Sequence, residues 1–159
     1  MTTPMTTSTS AARPIVLLLS GPNLNLLGSR EPAVYGTATL DDHVATARAV
    51  AASHGFDLEH VQSNGESALV DAVHGARSRC SAIVVNAGAL THYSWALHDA
   101  LAAFDGVKVE LHISNTHRRE AWRHTSVISP VVQGSIQGFG GAGYALAIAG
   151  VAALLSAKP

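Results

Sequence analysis

The sequence predicts an α/β domain built on a five-stranded parallel sheet with helices on both faces. Short apolar runs rich in β-branched residues recur along the chain, separated by segments long enough to hold helices. These runs occupy residues 15–19, 57–62, 82–86, 107–113 and 131–136. Strands that alternate with helices are typical of a parallel sheet, because right-handed crossovers place the helices on its two faces.

The segments between the runs carry apolar residues at helical spacing. The predicted helical stripes are Leu40, Val44, Ala47 and Ala51, then Leu69, Val73 and Ala76, then Leu97, Leu101 and Phe104. The apolar stretch over residues 144–155 is too short to span a bilayer and predicts a further packed helix. At this chain length the elements favour a flavodoxin-like, doubly wound fold over residues 14–159. Residues 1–13, rich in Thr, Ser and Ala, predict a flexible tail.

The composition excludes several classes of partner. Of the 159 residues, 47% are apolar and only 13% are charged, which indicates extensive burial and subunit interfaces. The formal net charge of -1 provides no broad basic field for nucleic acid or an anionic membrane. Cys80 is the only cysteine and cannot form an internal disulfide. We therefore expect a protein of the reducing cytoplasm.

Polar side chains follow four of the predicted strands. Asn23 follows the first strand and Asn64 the second, Asn86 ends the third with His92 just beyond it, and His112 lies in the fourth. The carboxyl ends of parallel strands meet at one edge, where open α/β sheets bind ligands. Each of these residues alone is more often a turn or structural residue than a catalyst. Their convergence on one edge predicts a functional site.

The loop between Gly21 and Gly36 adds a candidate base. It contains Asn23, Arg30 and Tyr35. A tyrosine normally loses its proton near pH 10, but a guanidinium held beside it favours the charged form. The loop therefore predicts acid–base chemistry, with Tyr35 as the base and Arg30 as the group that keeps it ionised.

Five ordered motifs make the chain closely similar to the type II dehydroquinases, the 3-dehydroquinate dehydratases of the flavodoxin-like class. The similarity runs from about Ile15 to Leu155. The motifs are Gly21-Pro22-Asn23-Leu24-Asn25 with Arg30-Glu31-Pro32 and Tyr35-Gly36, Gln62-Ser63-Asn64, Asn86-Ala87-Gly88 with Leu90-Thr91-His92, Glu110-Leu111-His112-Ile113-Ser114-Asn115, and Arg119 with Arg123. The resemblance implies removal of water from 3-dehydroquinate to give 3-dehydroshikimate, without a metal or cofactor.

The resemblance implies a catalytic role for five residues. Tyr35 resembles the base that removes the proton beside the ketone, and Arg30 would stabilise the phenolate and developing negative charge. Asn23 resembles the residue that positions a water against the enolate oxygen. His112 resembles the general acid that protonates the departing hydroxyl, and Glu110 would orient the imidazole and keep it cationic.

Substrate-binding roles also follow from the resemblance. The backbone N–H groups of Ile113 and Ser114, with the Ser114 hydroxyl, match a cradle for the substrate carboxylate. The residues that match contacts to the ring hydroxyls are Asn86, His92 and Arg123. Asp99 matches a residue that a neighbouring subunit contributes, because the family assembles as trimers grouped into dodecamers.

A nucleotide-binding module of flavodoxin-like fold is the leading alternative. Gly138 to Gly143 matches the spacing of a dinucleotide-binding loop, follows a predicted strand and opens a predicted helix. That fingerprint also requires a second strand that ends in an acidic residue about 20 positions on, and no such strand follows Gly143. The glycines are better explained by close packing of a helix on a strand.

Two further functions receive weaker support from the sequence. The nine histidines permit a zinc hydrolase, but no His-Glu-x-x-His spacing or thiolate cluster accompanies them. A signalling receiver shares the topology but requires clustered acidic residues at the strand ends. Histidines without a predicted role are expected at the surface or at helix ends, namely His43, His54, His60, His74, His98 and His124.

Overall fold

A parallel sheet of five strands forms the centre of the computed structural model, which describes residues 11–157. The strands are β1 (Ile15–Ser20), β2 (Asp57–Gln62), β3 (Ala82–Asn86), β4 (Val107–His112) and β5 (Gly134–Gln137). Their spatial order is β2-β1-β3-β4-β5, and every neighbouring pair is parallel. The predicted flavodoxin-like, doubly wound topology is therefore confirmed.

Helices cover both faces of this sheet. They are α1 (Pro32–Tyr35), α2 (Leu40–Ser53), α3 (Glu66–Ala76), α4 (Trp95–Ala102) and α5 (Ala142–Ser156). Alternate residues of β1 point to opposite faces, so Leu18 packs with α2 and α5 while Leu19 packs with α3 and α4. Each face therefore buries its own apolar core, and the sheet separates the two.

A capping box fixes the point at which the long loop after β1 gives way to α2. The Thr39 hydroxyl accepts from the Asp42 backbone N–H at 3.2 Å, and the Asp42 carboxylate accepts from the Thr39 N–H at 2.8 Å. This reciprocal pair satisfies two donors that a helix N-terminus otherwise leaves unpaired. It ends the segment that carries the candidate base at a defined position.

The boundaries of three elements differ from the sequence predictions. β5 begins at Gly134 instead of residue 131, because Ser129–Val131 forms a 3₁₀ turn that contains Pro130, which has no N–H for a strand ladder. Phe104 lies beyond the end of α4 at Ala102, although it is buried in the core as its stripe predicted. β4 ends at His112, one residue before its predicted end.

Two histidines predicted at the surface or at helix ends are instead packed inside the fold. His43 is 6% exposed, and its ring stacks on Tyr144 at 4.8 Å between centroids. It lies three residues after Leu40 and so shares the inward face of α2, where burial lowers the pKa of its imidazole. His60 is half-buried in β2, with Nε2 3.0 Å from the Ser20 hydroxyl.

The first described residues are tied to the domain. Of the tail predicted over residues 1–13, residues 1–10 lie outside the described part of the chain. The Arg13 guanidinium donates to the backbone oxygens of Ala52 and Gly55 and lies 3.5 Å from the Asp57 carboxylate. Between residues 11 and 157, no helix is both long enough and apolar enough to cross a membrane.

The loops that leave β1 and β3 approach so closely that glycine is required between them. The Gly21 N–H donates to the Asn86 carbonyl at 2.8 Å, and a Cβ on Gly21 would overlap the backbone oxygen of Ala87. Gly88 has a φ of +57, and a Cβ there would lie 3.0 Å from the Pro22 oxygen. The strand order reverses between β1 and β3, which is where ligand crevices form in such sheets.

We predict that Gly21→Ala lowers the free energy of unfolding by about 1–3 kcal/mol or more, because the added methyl group must displace the Ala87 backbone. Gly75→Ala is the matched control, since Gly75 is exposed within α3 and a Cβ there meets open space. This control should gain about 1 kcal/mol of helix stability. Urea unfolding of both variants measures the two changes, and equal midpoints would contradict the constraint.

Candidate active site

A cavity opens at the carboxyl edge of the sheet. Most of the residues predicted for the site line it, namely Asn23, Arg30, Tyr35, Asn86, His92, His112, Ile113, Ser114 and Arg123. Glu110 lies behind His112, in the wall of an adjoining cavity. The cavity also contains Thr116 and Arg119, to which the sequence analysis assigned no role. The expected convergence of the strand ends on one site is therefore observed.

The motif Gln62-Ser63-Asn64, at the end of β2, supports the loop that carries Asn23. The Asn23 backbone adopts a φ of 67, a left-handed conformation that asparagine tolerates better than most residues. Its N–H donates to the Asn64 side-chain oxygen at 2.9 Å. The Gln62 amide nitrogen donates to the same oxygen at 3.2 Å and to the Gly21 carbonyl at 3.3 Å. The end of β2 therefore holds Asn23 at the cavity through a short amide network.

Arg119 is the guanidinium that contacts Tyr35. Its Nη1 donates to the Tyr35 hydroxyl oxygen at 2.6 Å, and its Cζ lies 5.3 Å from the ring centroid. Arg30 was predicted beside Tyr35, but its Nε lies 3.3 Å from the Glu31 carboxylate within the same loop. Tyr35 and Arg119 are separated by 84 positions. The Arg119 motif was recognised in the sequence, but nothing in the spacing indicated this contact.

A buried carboxylate holds His112. Glu110 and His112 are two residues apart on β4, so their side chains share one face of the strand, and His112 Nε2 lies 2.8 Å from Glu110 Oε1. The hydroxyls of Ser126 and Ser129 also donate to the carboxylate. Burial alone would raise the Glu110 pKa, but these hydrogen bonds and the nearby imidazole lower it overall. The sequence analysis assigned no role to either serine, because two serines three residues apart do not form a known catalytic motif.

The side chains of His92 and Asn86 each form a hydrogen bond with a backbone atom. His92 Nδ1 lies 2.7 Å from the Thr125 carbonyl, which can only accept, so this nitrogen carries the proton. Burial lowers the His92 pKa, and the charges of His112 and Arg123 lower it further, although the Thr125 contact opposes them. The Asn86 side-chain oxygen accepts from the Gly88 N–H at 3.3 Å. The Nε2 of a neutral His92 is therefore left as an acceptor.

Two arginines share one acidic partner at the cavity wall. The Glu120 carboxylate lies 2.8 Å from Arg123 Nε and 3.6 Å from Arg119 Nε. The arginine side chains are only 17% and 15% exposed, respectively. Together with Arg30, which pairs with Glu31, they give the cavity a cationic wall, because two carboxylates do not neutralise three guanidinium groups. Such a wall suits an anionic ligand.

Asp99 is the predicted site residue that the fold does not bring to the cavity. It is exposed on α4, outside the set of residues that line the cavity. The sequence resemblance assigned this carboxylate to a neighbouring subunit. Its exposed position leaves the carboxylate available for such a contact.

Three glycines of the loop after β5, Gly138, Gly141 and Gly143, pack closely against neighbouring residues. A Cβ on Gly141 would lie 2.6 Å from His43 Cε1, and one on Gly143 would lie 2.9 Å from Leu111 Cδ1. Gly138 has a φ of +88 and packs against Asn115. These contacts favour the interpretation that the glycines let α5 approach the sheet, and the nucleotide-binding alternative is not supported. Within residues 11–157, no three His, Cys, Asp or Glu side chains are grouped closely enough to hold a metal ion.

Comparison with known proteins identifies the family. The sequence model described as Dehydroquinase class II matches residues 14–152. A 3-dehydroquinate dehydratase of Jannaschia sp. (strain CCS1) is 54% identical over 133 residues, which are 84% of this chain and 90% of that protein. A catabolic 3-dehydroquinase of Penicillium rubens is 51% identical over 133 residues, which are 84% of this chain and 86% of that protein. The crystal structure of type II dehydroquinase from Butyrivibrio crossotus matches with a TM-score of 0.85 at 41% identity, covering 87% of this chain and 97% of that one. The chain therefore belongs to the class II dehydroquinase family.

Proposed function

We propose that this protein is a 3-dehydroquinate dehydratase, a hydro-lyase that converts 3-dehydroquinate to 3-dehydroshikimate and water. The observation that carries the proposal is one cavity that contains both a phenol bonded to a guanidinium and an imidazole bonded to a carboxylate. Elimination of water from a hydroxyketone requires a base for the proton on carbon and an acid for the hydroxyl. The names of the relatives from Jannaschia and Penicillium support this substrate.

Tyr35 acts as the base in the proposed first step. Its phenolate removes the proton from the carbon beside the ketone, and the C–H electron pair moves into an enolate. The Arg119 contact stabilises the phenolate, since an adjacent cation favours the charged form of a titratable group. Arg30 adds positive charge at the cavity wall, and Asn23 positions a water that donates to the enolate oxygen.

His112 acts as the acid in the proposed second step. The enolate collapses to the conjugated enone, the bond from carbon to the hydroxyl breaks, and a proton from His112 converts the departing group to water. Because Nε2 donates to Glu110, Nδ1 is the nitrogen that delivers this proton. Glu110 stabilises the imidazolium before transfer. Exchange with solvent then removes the proton from Tyr35 and restores one to His112.

The remaining site residues bind the substrate in this proposal. The N–H groups of Ile113 and Ser114 and the Ser114 hydroxyl hold the carboxylate at the end of β4. The ring hydroxyls contact Asn86, His92 and Arg123, each of which lines the cavity. The cationic wall favours a carboxylate-bearing substrate over a neutral one. Each proton transfer is assigned to a side chain, so the mechanism requires neither a metal nor an organic cofactor.

We predict that the wild-type protein converts 3-dehydroquinate to a product with the ultraviolet absorbance of a conjugated enone. Tyr35→Phe should lower kcat at least about 100-fold, because general acid–base catalysis contributes roughly that much or more. The fold should persist, since Tyr35 is only partly buried and lies in a surface loop. An ultraviolet assay with circular dichroism measures both. Folded wild-type protein without activity would contradict the proposed function, and an active Tyr35→Phe variant would require another base.

Neighbouring arginines provide a control for the phenolate assignment. Arg119→Gln should lower kcat throughout its pH profile, because the Tyr35 hydroxyl loses its hydrogen bond from the guanidinium. Arg118→Gln removes the same charge from an exposed neighbour and should leave the profile unchanged. Identical profiles for the two variants would rule out Arg119 as the stabilising group.

We predict that His112→Ala separates proton removal from loss of the hydroxyl. Dehydration should slow by about 100-fold or more, while Tyr35 still exchanges the substrate proton beside the ketone with solvent. Mass spectrometry in D₂O should detect deuterated substrate before product accumulates. His74→Ala, which changes an exposed histidine of α3, is the control and should retain wild-type turnover. A His112→Ala variant with normal dehydration would reduce His112 to a structural role.

We propose in addition that the protein assembles as a homo-oligomer, a dodecamer built of trimers, in which Asp99 reaches the cavity of a neighbour. Asp99 is exposed, and its carboxylate complements the cationic wall of a second copy. A large aromatic side chain, Tyr93, lies nearby in the sequence and is 61% exposed. Exposed apolar residues of this size are typical of subunit contacts.

We predict a molar mass about twelve times 16.4 kDa by light scattering. Asp99→Ala and Tyr35→Phe oligomers should each be nearly inactive. Mixed oligomers made by co-refolding the two variants should regain activity, because some sites then combine an intact Tyr35 with an intact Asp99 from a neighbour. A fully active monomer, or no recovery in verified mixed oligomers, would contradict shared sites.

A further inference from the structure

Trp122 is an exposed aromatic residue packed between two residues of the cavity wall. It lies in the 3₁₀ turn Ala121–His124 and is 53% exposed. The Arg123 Cζ lies 4.0 Å from the centroid of the indole, within the range of a cation–π contact. The His92 ring meets the indole edge to face, with centroids 5.2 Å apart and planes at 90°. One side chain therefore contacts two residues that face the ligand cavity.

The indole completes the restraint of the Arg123 guanidinium. Arg123 Nε donates to the Glu120 carboxylate at 2.8 Å, and Trp122 packs against the guanidinium at 4.0 Å. A guanidinium carries five N–H donors in one plane, so fixing that plane also fixes the direction of its terminal N–H groups. Arginine otherwise has many rotamers, and their loss on ligand binding costs free energy.

The same ring limits the movement of His92. Its Nδ1 donates to the Thr125 carbonyl at 2.7 Å, which fixes one end of the imidazole. Rotation about that hydrogen bond would break the perpendicular contact with Trp122. His92 Nε2 and the terminal N–H groups of Arg123 are therefore held in fixed directions by one indole.

We propose that Trp122 is a positioning residue that orients Arg123 and His92 before the substrate binds, an inference that rests on the proposed dehydratase function. Its ring contacts are His92 and Arg123, whereas the proposed base and acid are Tyr35 in α1 and His112 in β4. Loss of the indole therefore weakens substrate binding more than it slows the chemical steps. The expected signature is a change in KM with little change in kcat.

Trp95 provides the matched control. It is the other of the two tryptophans in the chain, is 64% exposed, and also lies near a histidine, His98, at 5.4 Å between centroids. Unlike the partners of Trp122, His98 does not line the cavity. The change of tryptophan to leucine thus removes an exposed indole beside an imidazole in both cases.

Steady-state kinetics of Trp122→Leu, Trp122→Phe and Trp95→Leu test the inference. Trp122→Leu should raise KM about fivefold, the size of one lost cation–π contact, with kcat within about twofold of wild type. Trp122→Phe keeps an aromatic face and should restore most of the affinity. Light scattering establishes that the compared samples have the wild-type molar mass, and Trp95→Phe replaces the control if leucine changes it.

Three results would overturn the positioning role. They are an unchanged KM in Trp122→Leu, an equal rise in KM in Trp122→Phe, and an equal rise in the Trp95 control. A selective fall in kcat would also overturn it, because the role would then lie in the chemical step. An inactive wild-type enzyme would instead refute the proposed function, which the same assay detects separately.

Fluorescence provides a readout that does not depend on turnover. Trp95→Phe leaves Trp122 as the only tryptophan in the chain. Titration with quinate, which retains a ring carboxylate and hydroxyls, should change its emission in a saturable manner. The Trp122→Phe protein, which reports from Trp95, should not respond. A response confined to Trp95 would overturn the inference even if quinate binds.

Discussion

The buried charge of Glu110 fixes the positions of the residues around His112, the candidate acid. An ionised carboxylate removed from water is tolerated only where hydrogen-bond donors replace its hydration. Here the donors are His112 and the hydroxyls of Ser126 and Ser129. One carboxylate thus fixes an imidazole on its own strand and ties the segment after residue 125 to β4. Because the Thr125 carbonyl precedes Ser126 directly, the position of His92 also depends on this charge.

A second part of the cavity wall is organised by cations. Arg119 contacts the phenol, Arg123 lies against an indole, and Glu120 pairs with both guanidinium groups. The cavity therefore carries positive charge at Arg119 and Arg123, and the adjoining cavity has both Arg123 and the negatively charged Glu110 in its wall. A carboxylated substrate would meet a preorganised field, so little rearrangement of polar groups would be needed during reaction.

The sequence predicted the sheet and the location of the site because both depend on local patterns. Buried parallel strands leave continuous apolar runs, and the topology brings their carboxyl ends together wherever the loops go. The contact between Arg119 and Tyr35 joins residues 84 positions apart through long side chains, whose directions no periodicity encodes. Burial of His43 was missed for a different reason. A polar residue on the inward face of a helix was interpreted by its chemistry, although its position three residues after Leu40 placed it inside.

The hydrogen bond from Arg119 to Tyr35 links two parts of the chain that follow different strands of the sheet. It connects α1, within the loop after β1, to the segment that follows β4. The positions of α1 and of the segment after β4 therefore depend on each other through this hydrogen bond. Thermodynamic linkage makes this coupling reciprocal. A change that displaces the Arg119 side chain would consequently also release Tyr35, and with it α1, from this contact at the cavity wall.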